Sequence, residues 1–101
     1  MPVYAVAQTA VHGRECYQRY VSRFTEVLIR HDGRLLAADE QVDVVEGRWD
    51  HDKIVIMPFK GRVAVDAWAR SPEYQEISKD RVAAAEGVVL VASGVGRGRR
   101  P

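Results

Sequence analysis

At 101 residues the chain is the size of one domain, and its 15 Lys and Arg residues nearly balance its 14 Asp and Glu residues. Three arginines fall in the last segment, so the rest of the chain carries twelve basic and fourteen acidic residues, a net charge of −2. This balance gives no basic face for nucleic acid. We predict a single domain over residues 1–93 and a flexible Gly/Arg tail over residues 94–101.

The lone cysteine, Cys16, excludes an internal disulfide bond and is typical of a reducing compartment. No segment reaches the length of a transmembrane helix, so a membrane is not an expected partner. The first residues lead directly into a predicted strand, without a signal-peptide pattern. A cytoplasmic location is therefore the expectation.

The chain begins with a predicted strand and the clearest predicted helix. Residues 3–9 predict a strand with Tyr4 and Val6 on one face and Val3, Ala5 and Ala7 on the other. From Arg14 to His31 apolar residues recur at helical spacing, and Asp32-Gly33 ends the helix. Tyr17 and Tyr20 lie on its apolar face. They are either core aromatics, or one of them directs its hydroxyl into a cavity.

Two short apolar runs after this helix predict strands. Arg34–Ala38 and Val42–Val45 are separated by polar residues, which leaves two interpretations. They are either the two arms of a hairpin or one long strand with a bulge. After a turn over residues 46–52, the uninterrupted apolar run Ile54–Met57 indicates a strand that needs cover on both faces.

The next stretch predicts a short helix followed by a second helix at a new angle. Apolar residues recur at helical spacing from Val63 to Trp68. A residue before proline is disfavoured in the α region, so the first helix ends at Ser71-Pro72. Ser71 is a good N-cap and Pro72 suits the first helical position, so the second helix begins there.

One face of this second helix carries Tyr74, Ile77, Ser78 and Arg81. Arg81 is a permanent charge on a stripe that Ile77 marks as inward-facing. It forms a structural ion pair, lays its stem on the core with its head in water, or anchors an anion beside the Tyr74 hydroxyl. The sequence leaves these alternatives open.

A final apolar run, Gly87–Ala92, predicts the last strand. The order of elements is that of the ferredoxin-like βαββαβ unit, an α+β fold with an antiparallel sheet. Helices cover only one face of such a sheet, yet residues 35–38, 54–57 and 88–92 are apolar on both faces. We therefore predict a homodimer in which two sheets face each other.

A set of these residues resembles a known family. It consists of Glu46-Gly47 and Trp49, the strand that ends at Phe59, Ala67-Trp68, Ser71-Pro72-Glu73-Tyr74-Gln75 and Arg81. The pattern resembles the family called domain of unknown function 1330 over nearly the whole chain. The resemblance implies a dimeric α+β barrel, shared with small monooxygenases, muconolactone isomerase and haem-degrading enzymes, with a pocket between sheet and helices. The family has no established chemistry, and fold alone does not imply an activity.

The histidines His12, His31 and His51 are scattered, so we predict neither a metal site nor a cofactor. No nucleophile motif, phosphate loop or dinucleotide fingerprint is present. His12 precedes the first helix and is the candidate general base if a pocket lies there, because imidazole titrates near neutral pH.

The predicted ligand-binding residues are Tyr74, Arg81, Trp68 and Tyr20. Aromatic side chains beside one arginine suit a planar or apolar ligand with an acidic group, and they also suit an ordinary core. The first hypothesis is a non-catalytic protein that captures a small anionic or aromatic metabolite between sheet and helices. The alternative is a small cofactor-independent enzyme, monooxygenase- or isomerase-like, in which His12 is the base.

Overall fold

The computed structural model describes residues 2–95. Its elements follow the chain as β1 Val3–Val11, α1 Arg14–Arg30, β2 Ala37–Asp39, β3 Lys53–Phe59, α2 Arg62–Arg70, α3 Pro72–Ala84 and β4 Ala85–Ser93. None of the helices in this part of the chain combines the length and apolarity needed to span a membrane. Of the predicted tail, only Gly94 and Val95 are described, and the rest of that prediction lies outside the described residues.

The four strands form one antiparallel sheet in the order β2-β3-β1-β4. At its centre Val6 of β1 lies opposite Ile56 of β3 on one side and Leu90 of β4 on the other. The buried core lies between one face of this sheet and the helices, with α1 and α3 packed against each other. This arrangement is the predicted ferredoxin-like α+β fold, with its second helical unit divided into α2 and α3.

Alternation along the strands divides the sheet into a covered and an uncovered face. Val3, Ala5 and Met57 point toward the helices and are buried. On the opposite face Val88 and Leu90 of β4 remain 47% and 53% exposed. The strands are therefore apolar on both faces, as predicted, while the helices of this chain bury only one of them.

The strand prediction for Val42–Val45 is wrong. In this region only Ala37–Asp39 form a strand, which pairs with β3. The Gln41 N–H donates to the Asp39 carboxylate at 2.7 Å, a local turn hydrogen bond that competes with the ladder and ends β2. Val45 is 97% exposed. Neither a hairpin nor a long bulged strand forms, because this valine run has no strand to pair with in the sheet.

The junction between α2 and α3 is formed as the sequence predicts. The Ser71 hydroxyl accepts a hydrogen bond from the Tyr74 N–H at 3.1 Å and donates one to the Trp68 carbonyl at 2.8 Å. Ser71 thus satisfies one orphan group from each helix, and Pro72 occupies the first turn of α3. The resulting bend brings the Trp68 and Tyr74 rings to a centroid distance of 4.3 Å.

Candidate functional site

A cavity of about 80 Å³ lies between the covered face of the sheet and the helices. This volume is well above the ~15 Å³ that one water molecule needs. All four strands and all three helices contribute to its wall. The lining residues are Ala7, Thr9, Tyr17, Tyr20, Val21, Phe24, Thr25, Leu35, Ala38, Lys53, Val55, Met57, Trp68, Tyr74, Arg81 and Val89.

Aromatic rings form a continuous wall along the helical side of this cavity. Helix α1 presents Tyr17, Tyr20 and Phe24 at spacings of three and four, with successive centroids 5.7 and 5.3 Å apart. Phe24 meets Trp68 edge-on at 6.2 Å, and Trp68 packs against Tyr74. Such tilted contacts are the favourable geometries for aromatic pairs, so the wall is a packed surface.

The four residues predicted to bind a ligand, Tyr20, Trp68, Tyr74 and Arg81, all line this cavity. They come from α1, α2 and α3, so residues far apart in the sequence are brought together by helix packing. The three aromatic side chains are buried and Arg81 is half-buried. Their role in binding remains a prediction at this point.

The Arg81 guanidinium has no carboxylate within salt-bridge distance among residues 2–95. Its Nε is buried without a hydrogen-bond partner in the same part of the chain. The structural ion pair considered as one alternative therefore lacks a partner within these residues. The half-buried position is compatible with a stem packed on the core and with an anion anchor.

Lys53 is a second cation in the wall that the sequence analysis missed. It begins β3 and shares the covered face with Val55 and Met57. Its Nζ lies 5.0 Å from the centroid of the Tyr17 ring, within the range of a cation–π contact. The two-residue period of β3 could have revealed it. That period places Lys53 on the same face as Val55 and Met57, but only if the strand is predicted to begin one residue before Ile54.

Tyr20 lies close to both Tyr74 and Arg81. Burial raises the pKa of the Tyr20 phenol far above its ordinary value, and the neighbouring Tyr74 hydroxyl raises it further. The Arg81 charge acts in the opposite direction and lowers this pKa, but it does not offset the burial. Tyr20 is therefore a neutral phenol in the cavity wall, beside Tyr74 and Arg81.

This raised pKa predicts a loss of stability at alkaline pH. Because the folded state favours the neutral phenol, the Tyr20 contribution is fully present below the ordinary pKa of ~10 and is lost as the pH rises above it. We expect Tyr20→Phe to lose less free energy of unfolding than the wild type between about pH 9 and about pH 11. Urea denaturation at both pH values measures the difference, and equal losses would contradict it.

Other reactive side chains lie away from the cavity. His12 is exposed and is not among the lining residues, so the geometry gives no support to its candidacy as a base there.

Cys16 is half-buried and donates to the Asp80 carbonyl and carboxylate, each at 3.2 Å. That hydrogen bond to Asp80 raises the pKa of the thiol, which disfavours a nucleophilic thiolate. Across residues 2–95, no three His, Cys, Asp or Glu side chains are grouped as metal ligands.

Known structures share this fold at low sequence identity. A protein of unknown function from Rhodopseudomonas palustris has a TM-score of 0.80 at 18% identity, covering 95% of this chain and 84% of that one. SnoaB, a cofactor-independent oxygenase from Streptomyces nogalater, has a TM-score of 0.71 at 13% identity and covers 95% of each chain. A dimeric ferredoxin-like protein of unknown function from Jannaschia sp. CCS1 has a TM-score of 0.70 at 15% identity, with coverages of 93% and 100%. Likeness at these identities establishes the fold alone.

No curated protein matches the sequence. The family described as domain of unknown function (DUF1330) matches residues 2–95, which are all the residues that the structure describes. The resemblance carried by Trp68, the Ser71-Pro72 cap and Arg81 is thereby confirmed. With its ferredoxin-like sheet and its three helices on one face, this chain belongs to the DUF1330 family.

Proposed function

We propose that the protein binds a small organic anion with an aromatic or apolar body in the cavity between the sheet and the helices. One observation carries the proposal. Arg81 and Lys53 both border an aromatic-walled cavity, and neither is paired with a carboxylate among residues 2–95. A ligand that brings its own negative charge would supply the missing partner.

The electrostatics of the cavity favour an anion over a neutral or cationic ligand. Lys53 extends from the sheet and Arg81 from α3, so positive charge borders the cavity from two layers of the fold. Within the described residues the lining contains no Asp or Glu to offset this charge. Apolar walls reduce screening, so charge-assisted hydrogen bonds to a carboxylate are stronger here than in water.

Tyr20 and the apolar side chains of the cavity wall would provide the remaining contacts to the ligand. The raised pKa of Tyr20 keeps its hydroxyl protonated, and a protonated phenol donates to a carboxylate oxygen. Phe24, Met57 and Trp68 offer an apolar surface for the body of the ligand.

We further propose that two copies of the chain pair through the uncovered faces of their sheets. Val6, Ile56 and Leu90 are register neighbours on that face, in β1, β3 and β4. An exposed apolar sheet face of this kind is unusual in a monomer. Two structurally similar proteins, from Jannaschia sp. CCS1 and Thermobifida fusca, are described as dimeric ferredoxin-like proteins.

The alternative function, a cofactor-independent enzyme, has less support. SnoaB is such an oxygenase, but at 13% identity its likeness concerns the fold only. Within residues 2–95 the cavity wall contains no His, Cys, Asp or Glu, so Lys53 and the tyrosines are the side chains left for general acid–base chemistry. Capture of a small anion, rather than its turnover, is therefore the function we propose.

Titration calorimetry with three benzene derivatives of similar size tests the proposal. We expect benzoate to bind at least about tenfold more tightly than neutral benzamide, because a charged hydrogen bond is worth about 1.5–3 kcal/mol. Cationic benzylamine should give no binding heat, because it would face two like charges. Benzylamine binding as tightly as benzoate, or no binding of benzoate, would contradict the proposal.

A further inference from the structure

Thr9 is a polar residue of the cavity wall that has no role in the anion site proposed above. It lies on β1 with only 3% of its surface exposed, and its Oγ1 is buried without a hydrogen-bond partner among residues 2–95. Valine would suit the same strand position without burying a hydroxyl. Packing alone therefore does not account for threonine here, and a buried polar group without a partner calls for another explanation.

The other unpartnered polar atoms of this wall are hydrogen-bond donors. Trp68 Nε1 and Arg81 Nε are both buried, and neither has a partner in the part of the chain that the structure describes. An indole N–H and a guanidinium N–H only donate, whereas the Thr9 hydroxyl donates or accepts. A ligand group that partners Trp68 Nε1 or Arg81 Nε must therefore be a hydrogen-bond acceptor, such as an oxygen.

These polar atoms belong to different layers of the fold. Thr9 lies in the sheet, directly opposite Lys53 in the register of β1 and β3. Directly paired strand residues have Cα atoms about 4.5–5.5 Å apart, so the Lys53 side chain starts beside Thr9 on the same face. Arg81 lies in the helical layer, beside Tyr20 and Tyr74. The cavity thus has polar groups on both its sheet side and its helix side.

We infer that the ligand is an oxygenated organic acid, whose carboxylate binds at Arg81 and whose second oxygen, a hydroxyl or a carbonyl, hydrogen-bonds Thr9 Oγ1 beside Lys53. This inference rests on the proposed anion-binding function and adds a second, separate polar contact to it. Thr9 is then a specificity residue. An analogue without that oxygen forgoes the hydrogen bond to Thr9 and therefore binds less tightly.

Calorimetric titration of the full chain with benzoate and with the ortho, meta and para isomers of hydroxybenzoate tests this inference. At least one isomer should bind about fivefold or more tightly than benzoate. In Thr9→Val this advantage over benzoate, measured in the same variant, should fall below about twofold. Thr9→Ser keeps the hydroxyl and should keep the advantage.

The melting temperature of the ligand-free protein gives an independent readout. Because Thr9→Val removes a buried hydroxyl that has no partner, it should raise the Tm by roughly 4 °C. A threonine held for a structural hydrogen bond would give the opposite sign, and a lowered Tm would overturn the assignment of Thr9.

The outcomes separate this inference from the function on which it rests. If benzoate binds but no hydroxybenzoate gains affinity, the second oxygen contact is wrong and the anion site stands. If the advantage persists in Thr9→Val, the second oxygen binds elsewhere and the role of Thr9 is wrong. If none of these acids binds, the proposed function fails, and this inference fails with it.

Discussion

Replacing Arg81 with methionine is expected to weaken benzoate binding at least tenfold and to leave the fold intact. The loss follows from removal of the charge that would hold the carboxylate, and charge-assisted hydrogen bonds of this kind are worth about 1.5–3 kcal/mol. Methionine retains an apolar stem of similar length, so packing against the aromatic wall is largely preserved. Calorimetric titration measures the Kd, and urea denaturation measures the free energy of unfolding.

The stability of this variant distinguishes the roles considered for Arg81. No carboxylate partner exists for it among residues 2–95, so we expect its free energy of unfolding to change by less than about 1 kcal/mol. Breaking a buried ion pair would instead cost about 3–5 kcal/mol. Arg23→Met on the exposed side of α1 is the matched control and should bind benzoate like the wild type. Unchanged affinity in Arg81→Met would show that the arginine is not the anchor.

A second large effect is expected from Leu90→Lys, which should convert a dimer into a monomer. Leu90 lies on the uncovered sheet face in the edge strand β4, directly opposite Val6 of β1. Two-fold symmetry places the substitution in the interface twice, and each ammonium would be buried against apolar surface. We expect association to weaken by at least about a hundredfold. Light scattering coupled to size-exclusion chromatography measures the mass of both proteins.

Val63→Lys is the control for this experiment, because Val63 is 85% exposed on α2, outside the sheet. It should remain dimeric. A monomeric wild type, or a Leu90→Lys protein that is still a dimer, would refute pairing through this face. Since residues of one chain line the cavity, monomeric Leu90→Lys should still bind benzoate, so the two proposals are tested separately.

Elements with local signals were predictable from the sequence. Helix α1 follows from the spacing of its apolar residues, and the break between α2 and α3 follows from Ser71-Pro72. These features depend on neighbours within a few positions, which the sequence displays directly. The strand prediction for Val42–Val45 failed for the opposite reason. A strand exists only if another strand pairs with it, and a turn hydrogen bond to Asp39 ends β2 before that run.

Some residues of the candidate site could likewise be predicted from local spacing, and others could not. Tyr74 and Arg81 were predictable as a pair because a helix places positions seven apart on one face. His12 precedes α1 in the sequence, but its exposed side chain lies outside the cavity lining. Thr9 and Lys53 were not predicted as site residues because neither belongs to a motif or a helical stripe in the sequence. They become a pair only through the antiparallel register of β1 with β3.

The sequence by itself determined the order of elements, the helix break, the apolar character of both sheet faces and the position of Arg81 on one helix face with Tyr74. Each of these depends on periodicity or on the conformational limits of single residues. The tertiary structure alone decided that Arg81 has no carboxylate beside it within residues 2–95, that Lys53 joins it at one cavity, and that Thr9 Oγ1 is buried there without a partner. Those facts depend on which distant segments pack together, and strand register and helix packing, rather than local pattern, set that choice.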